Sequence, residues 1–258
     1  MTLIVALKCR DGVVIASDGQ ATCFSSGGPV RQRCRKIFEL PGKVLLGASG
    51  TIGVIQRCRD TIRRYSDKLL RGLDGSIEER RGERVERVTL RDKIKRLVFF
   101  INKDERERHK AFHEKESGAP LADLLLVFYA ENEERFRIWH IAPDGSDEFL
   151  DELGYGCSGI GDTFAYAFLK DLYSNDLDVE TGKIVVYRVI KEAIEVGAFG
   201  LGEPIDIWIM KLEDDELSIS EISEEEINAL EDTYRAWKQS EKELFRRKIL
   251  GESHDRSG

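Results

Sequence analysis

The stretch TLIVALKCRDGVVIASDGQAT, residues 2–22, decides how this chain is read. TLIVALKC is apolar at nearly every position, so it predicts a strand with no face left to water. Asp11-Gly12 is a hairpin turn signal, and VVIASD is the returning strand. Thr2 directly follows Met1, and loss of that one residue is expected to leave a threonine whose α-amine is free beside its hydroxyl. A threonine hydroxyl is a poor nucleophile at neutral pH and needs a base within hydrogen-bond reach. An α-amine, with an ordinary pKa of about 7.7–8.0, can be that base. A neighbouring cation would keep the amine neutral, and a carboxylate would hold the cation in place.

Working outward, CFSSGGPV reads as a Gly/Ser-rich loop, followed by a basic patch at Arg31, Arg33, Arg35 and Lys36. KIFEL and KVLLGAS read as strands separated by Pro41-Gly42. Gly50 then breaks the second of them. Ile52, Ile55, Cys58, Ile62, Tyr65 and Leu69 step by three and four, the spacing of one helix face. Residues 72–88 are densely charged and read as a solvated excursion, partly helical. Thr89 is the N-cap of a second helix with Leu90, Ile94, Leu97 and Ile101 inward, running into solvent until Gly118 and Pro120.

ADLLLVFYA and RFRIWHIA read as strands, with a short one near 147–153. Helices are expected at about 162–174 and 180–196. IDIWIMKLE and LSISEIS form a closing hairpin. Ser223 and Glu226 make a capping-box pattern for a last helix with Ile227, Leu230, Tyr234 and Trp237 inward, and the residues after Leu250 read as a frayed tail. Helices come in pairs between blocks of strands, which argues against alternating βαβ units and for two antiparallel sheets covered by two helical layers. Residues 1–222 read as one domain with its charged insertion at about 72–88. Residues 223–258 read as a helix and tail packed on it or projecting from it.

A net charge of −8 over 258 residues argues against a nucleic-acid binder. Five cysteines at irregular spacing, with no CxxC pair, argue against a disulfide framework and a structural zinc site. His109, His113, His140 and His254 show no metal-ligand spacing, so no metal site is expected, and the threonine chemistry above needs no cofactor. No apolar run approaches the roughly 20 residues that span a bilayer. A cytoplasmic protein without membrane contact is expected.

MTLIVALKCRDGVVIASDGQAT followed by KIFELPGKVLLGASGTIG resembles the start of proteasome β-type subunits and of the bacterial heat-shock ring protease of the same superfamily. VIASDGQAT is especially similar to the latter. The resemblance runs through residues 2–56 with a small insertion near Gly27-Gly28, and resumes at GIGDTFAYAFLKDLY and PIDIWIM. It implies an α+β protein, the four-layer αββα sandwich of N-terminal nucleophile hydrolases, here with an extra C-terminal helix. It also implies a threonine-type endopeptidase acting on peptides or unfolded proteins within a homo-oligomeric ring, with an α-type subunit or an ATPase as partner.

Carried over by position, Thr2 matches the nucleophile, Asp18 the aspartate after the second strand, Lys36 the tuning lysine and Gly50 the oxyanion donor. Thr22 matches a position whose backbone pairs with substrate. Ala21, Cys34, Phe38, Ala48, Ile52 and Gln56 match the specificity pocket, and their composition predicts cleavage after apolar residues. Arg31, Arg33 or Arg35 would reverse that preference by folding inward. Ile160 stands where the family has a supporting serine, with Ser158 two residues away as a substitute, and Ala198 and Leu201 replace a family aspartate and serine. These replacements keep two alternatives in view: a non-catalytic ring subunit, and an amidase or ligase using the same nucleophile.

Overall fold

The computed structural model describes residues 1–25, 28–81, 84–112, 121–197 and 200–250. In chain order the first half holds β1 (Ile4–Cys9), β2 (Gly12–Asp18), β3 (Gln20–Ser25), β4 (Gly28–Arg33), β5 (Ile37–Leu40), β6 (Val44–Gly50), α1 (Ile52–Ile62), α2 (Ser66–Leu69), β7 (Ser76–Arg81), β8 (Arg84–Thr89) and α3 (Leu90–Phe112). The second half holds β9 (Ala122–Ala130), β10 (Arg135–Ile141), β11 (Asp147–Phe149), β12 (Tyr155–Ser158), α4 (Asp162–Leu172), α5 (Val179–Val196), β13 (Ile205–Glu213), β14 (Glu216–Glu221) and α6 (Glu224–Ile249). One five-stranded sheet runs β12-β1-β2-β13-β14 and the other β11-β10-β9-β6-β5, with antiparallel neighbours in both.

The unbroken apolarity of β1 and β2 has a direct cause. Leu3, Val5 and Leu7 join a cluster with Ala165 and Leu169 of α4 and Val186, Val189 and Ile190 of α5. The alternate residues Ile4 and Ala6, with Val13 and Ile15, pack against Leu45, Leu125, Val127 and Ile138 of the other sheet. Because successive side chains point to opposite faces, a strand between two layers must be apolar throughout. The second sheet does the same on its outer face, where Leu46, Leu124, Leu126 and Phe128 meet Val54, Ile55 and Cys58 of α1 and Ile94 and Val98 of α3. The layers are therefore helix, sheet, sheet, helix.

Four local expectations change. Residues 23–25 and 28–30 of CFSSGGPV are strand rather than loop: β3 and β4 pair Thr22 with Arg31 and Cys23 with Val30. The charged insertion is also a hairpin rather than partly helical. β7 and β8 set Ile77 opposite Val88 and Glu78 opposite Arg87, so one cross-strand pair is apolar and the next is of opposite charge. The helix expected to run from Ile52 to Leu69 breaks after Ile62 and resumes as α2, with Ile62 and Leu69 both still fully buried. The expected strand near 147–153 is only the three residues of β11.

Ser223 and Glu226 close the capping box of α6, and Leu230 and Tyr234 of that helix enter the α4–α5 cluster. Trp237 lies beneath the Arg188 guanidinium, 3.9 Å from its ring centre. The helix end expected at Gly118 and Pro120, the tail after Leu250, and Ala198 lie outside the described residues. No helix among those described is long and apolar enough to cross a membrane.

Candidate active site

Asp18 is the last residue of β2, and pairing with β1 sets it beside the start of the chain. Its Oδ1 accepts from the Leu3 backbone N–H at 2.9 Å and from Lys36 Nζ at 2.6 Å. Its Oδ2 accepts from the backbone N–H groups of Gln20 at 3.4 Å and Gly202 at 3.3 Å. The ion pair is buried, with Lys36 5% and Asp18 0% exposed. A buried pair survives only when its remaining polar sites are also bonded. Three backbone donors meet that need for the carboxylate.

The second bond of Lys36 runs to the Met1 carbonyl oxygen at 3.0 Å. That oxygen belongs to the peptide bond on the Thr2 nitrogen. The lysine therefore sits one peptide unit from the amine that loss of Met1 would create. Burial, acting first, holds Lys36 below the ordinary lysine range, against the opposing pull of Asp18. The present α-amine on Met1 is also lowered, by burial and then by Lys36, while Asp18 and Cys34 pull the other way and lose.

Glycine is required at two places around Thr2. Gly50, where β6 gives way to α1, has φ +120°, and a Cβ there would lie 1.8 Å from the Leu121 carbonyl oxygen. Gly159 has φ +102°, and its Cβ would lie 2.2 Å from the Thr2 carbonyl oxygen. Neither position admits a side chain, so the backbone itself forms the walls.

A cleft of about 540 Å³ opens here. Thr2 and Lys36 line it, together with Ala21 and Thr22 of β3, Cys34, Phe38 of β5, Ala48 and Gly50 of β6, and Ile52 and Gln56 of α1. All the positions matched above to nucleophile, lysine, oxyanion donor and pocket thus border one space, with Asp18 buried behind Lys36. Ser158 is placed differently. Its hydroxyl lies 3.1 Å from Ser49 Oγ, and this bond ties the two sheets together behind Gly50. Ile160 is 55% exposed. Arg33 pairs with Asp206 at 3.5 Å, while Arg35 reaches the cleft.

The sequence did not assign Ser49, Thr51, Ile55 or Arg59 to the site, although Thr51, Ile55 and Arg59 line the cleft. The last two continue the helical stripe of Ile52 and Gln56 at spacings of three and four, a signal that was available. Ser49 had none, because its partner lies 109 residues away. Among the described residues, no group of three His, Cys, Asp or Glu side chains could hold a metal ion.

Comparison with known proteins bears on the family and the fold. The family model described as "Proteasome subunit" matches residues 2–72 and 107–210, more than half of the chain. Proteasome subunit beta 2 of Nitrosopumilus maritimus is 27% identical over 210 residues, covering 81% of this chain and 85% of its own length. Proteasome subunit beta of Nanoarchaeum equitans is 27% identical over 209 residues, covering 81% and 92%. Among solved structures, Anbu, an ancestral beta-subunit, from Yersinia bercovieri superposes with a TM-score of 0.67 at 16% identity, covering 98% of this chain and 99% of that one. A Gly-1 mutant of Anbu from Hyphomicrobium sp. strain MC1 gives 0.66 at 17% identity, covering 99% and 100%. The αββα sandwich is theirs too, and the chain belongs to the proteasome subunit family.

Proposed function

We propose that this protein is a β-like threonine endopeptidase whose nucleophile is Thr2 after removal of Met1. The observation that carries the reading is the placement of Lys36. Its ammonium is bonded at once to Asp18 and to the carbonyl on the Thr2 nitrogen, at the edge of a cleft. Thr2 Oγ1 attacks the substrate carbonyl carbon as the Thr2 amine takes the hydroxyl proton. The Gly50 backbone N–H donates to the oxygen on which charge develops. The protonated Thr2 amine returns its proton to the leaving amine, leaving an ester on Thr2, and a water deprotonated by the same Thr2 amine releases the second product. Lys36 keeps the amine neutral at rest, and Asp18 fixes Lys36.

β3 pairs with β4 on one side only among the described residues, and it lends Ala21 and Thr22 to the cleft. An extended peptide can add to such an edge through main-chain hydrogen bonds, which favours a peptide over a compact amide as substrate. Assembly into a ring of copies, with an α-type subunit or an ATPase as partner, belongs to the same reading.

A peptide epoxyketone tests it, since the warhead closes a ring only with a hydroxyl and a free amine on one residue. Intact mass should show the chain without Met1 plus one inhibitor, and Thr2→Ala should show no adduct. Retention of Met1 in natively expressed protein would sink the mechanism. The hydroxyl of Ser158 goes to Ser49 instead of the nucleophile, and this favours a second reading, a non-catalytic ring subunit. Loss of Met1 without any adduct would select that reading.

The pH profile gives another test. The amine accepts a proton only when neutral, so the acid limb of kcat/KM marks its pKa. Burial and Lys36 already lower the Met1 amine from its ordinary 8.0, and the Thr2 amine would belong to the peptide unit whose carbonyl oxygen Lys36 bonds. Activity should therefore reach half its plateau below pH 8, and in Lys36→Met any residual activity should have its midpoint moved upward.

A further inference from the structure

We propose that the cleft beside Thr2 selects an acidic side chain, glutamate above aspartate, and that Arg59 is the residue that selects it. The inference rests on the cleft being the substrate side-chain pocket of the reading above. Ile52, Ile55, Gln56 and Arg59 form one stripe of α1, at spacings of three, one and three, and all four border the cleft. From Ile52 at the mouth to Arg59 is about 10 Å along the helix axis. Helical side chains lean toward the N-terminus, which turns the guanidinium into the cleft that Arg59 lines. There it lies over the Phe38 ring, 5.2 Å from the ring centre.

The charged residues lining the cleft are Arg35, Lys36 and Arg59, and no carboxylate lines it among the described residues. Two of the three cations are committed elsewhere. Lys36 is buried on Asp18. Arg35 bonds Glu221 at 2.8 Å and covers the Trp208 ring. Arg59 is held differently. Its Nε and Nη2 both donate to the single oxygen Asp60 Oδ1, at 2.9 and 2.8 Å, and Asp60 is 58% exposed. One edge of the guanidinium is thereby anchored, and Nη1 carries no hydrogen bond among the described residues.

A cation in the last turn of α1 is favoured by the helix dipole wherever it points. The dipole does not account for its position over the Phe38 ring inside the cleft. Ala21, Ala48, Phe38 and Ile52 supply apolar walls for the methylenes of an incoming side chain, and Arg59 supplies a bidentate-capable donor at the far end. A glutamate spans that depth better than an aspartate. A lysine or arginine would meet a like charge, and a leucine would desolvate the guanidinium without replacing its lost water. The apolar preference expected from six positions alone is thus overridden by a seventh.

The test is kcat/KM on aminocoumarin peptides differing only in Glu, Asp, Leu or Lys before the scissile bond. It is paired with anisotropy of fluorescein-labelled peptide amides, carrying the same residues, on the full-length Thr2→Ala protein. Glu should exceed Leu by about tenfold or more, the scale of one charge-assisted hydrogen bond. Arg59→Leu should abolish or reverse that ratio, and Arg59→Glu should move the preference to Lys. Leu equal to Glu in the wild type, or a Glu preference that persists in Arg59→Leu, overturns the proposal. Selective binding of the Glu peptide without turnover upholds it and refutes the peptidase. Turnover without Glu preference does the opposite.

Discussion

Replacing Thr2 with alanine should lower peptide turnover by about a thousandfold or more, the range seen when a nucleophile is removed from a group acting as a unit. The fold should stay within about 1 kcal/mol of wild type, because the change trims a hydroxyl and a methyl at the edge of β1 and leaves every Asp18 bond in place. Thr2→Ala and Lys36→Met should not multiply: the double variant should be scarcely slower than either single one. Steady-state kinetics on one fluorogenic peptide, with thermal unfolding of the same samples, checks both. Turnover near wild type in Thr2→Ala would move the chemistry elsewhere.

Asp18→Ala should be the most destabilising change at the site. It strands the Lys36 ammonium in the interior and removes the acceptor for the Leu3, Gln20 and Gly202 N–H groups. Breaking a buried pair from one side costs about 3–5 kcal/mol. For a chain of this size that is a fall in Tm on the order of 10 °C. Lys36→Met should cost clearly less, because three backbone donors remain on the carboxylate and the methionine fills the stem's volume. Turnover should fall by about a thousandfold or more in both. Equal losses of stability in the two variants would contradict the picture of a carboxylate held mainly by backbone.

What the residues disclosed by themselves follows from how each element is stabilised. β1 and β2 were legible because burial on two faces writes itself into an unbroken apolar run. α1 was legible from its stripe, and α6 from the Ser223–Glu226 box. The β3–β4 and β7–β8 hairpins were not, since polar strands outside a core are held by cross-strand pairing, which leaves no periodicity in either strand alone. The proximity of Asp18 to Lys36 could not be read from spacing either. It came through resemblance, and the coordinates supply its 2.6 Å contact. Arg59 continues the α1 stripe as a charged member, and apolar periodicity does not mark it.

The register of the first sheet bears on when during synthesis the site can exist. β1 and β2 are central strands, and their outer neighbours come late: Ile4 pairs with Ser158, and Asp18 pairs with Ile205. The Gly202 amide on Asp18 and the Gly159 turn over Thr2 arrive with those late segments. Closing such long-range pairs is slow, and domains emerge from the ribosome N-terminus first. On the proposed reading, a growing chain that has already lost Met1 therefore carries Thr2 without the frame that would arm it as a nucleophile. On the proposed reading, a hydrolytic centre framed by residues as late as Gly202 and Ile205 stays silent until most of the chain has been made, and a product truncated before them is harmless to the unfolded proteins around it.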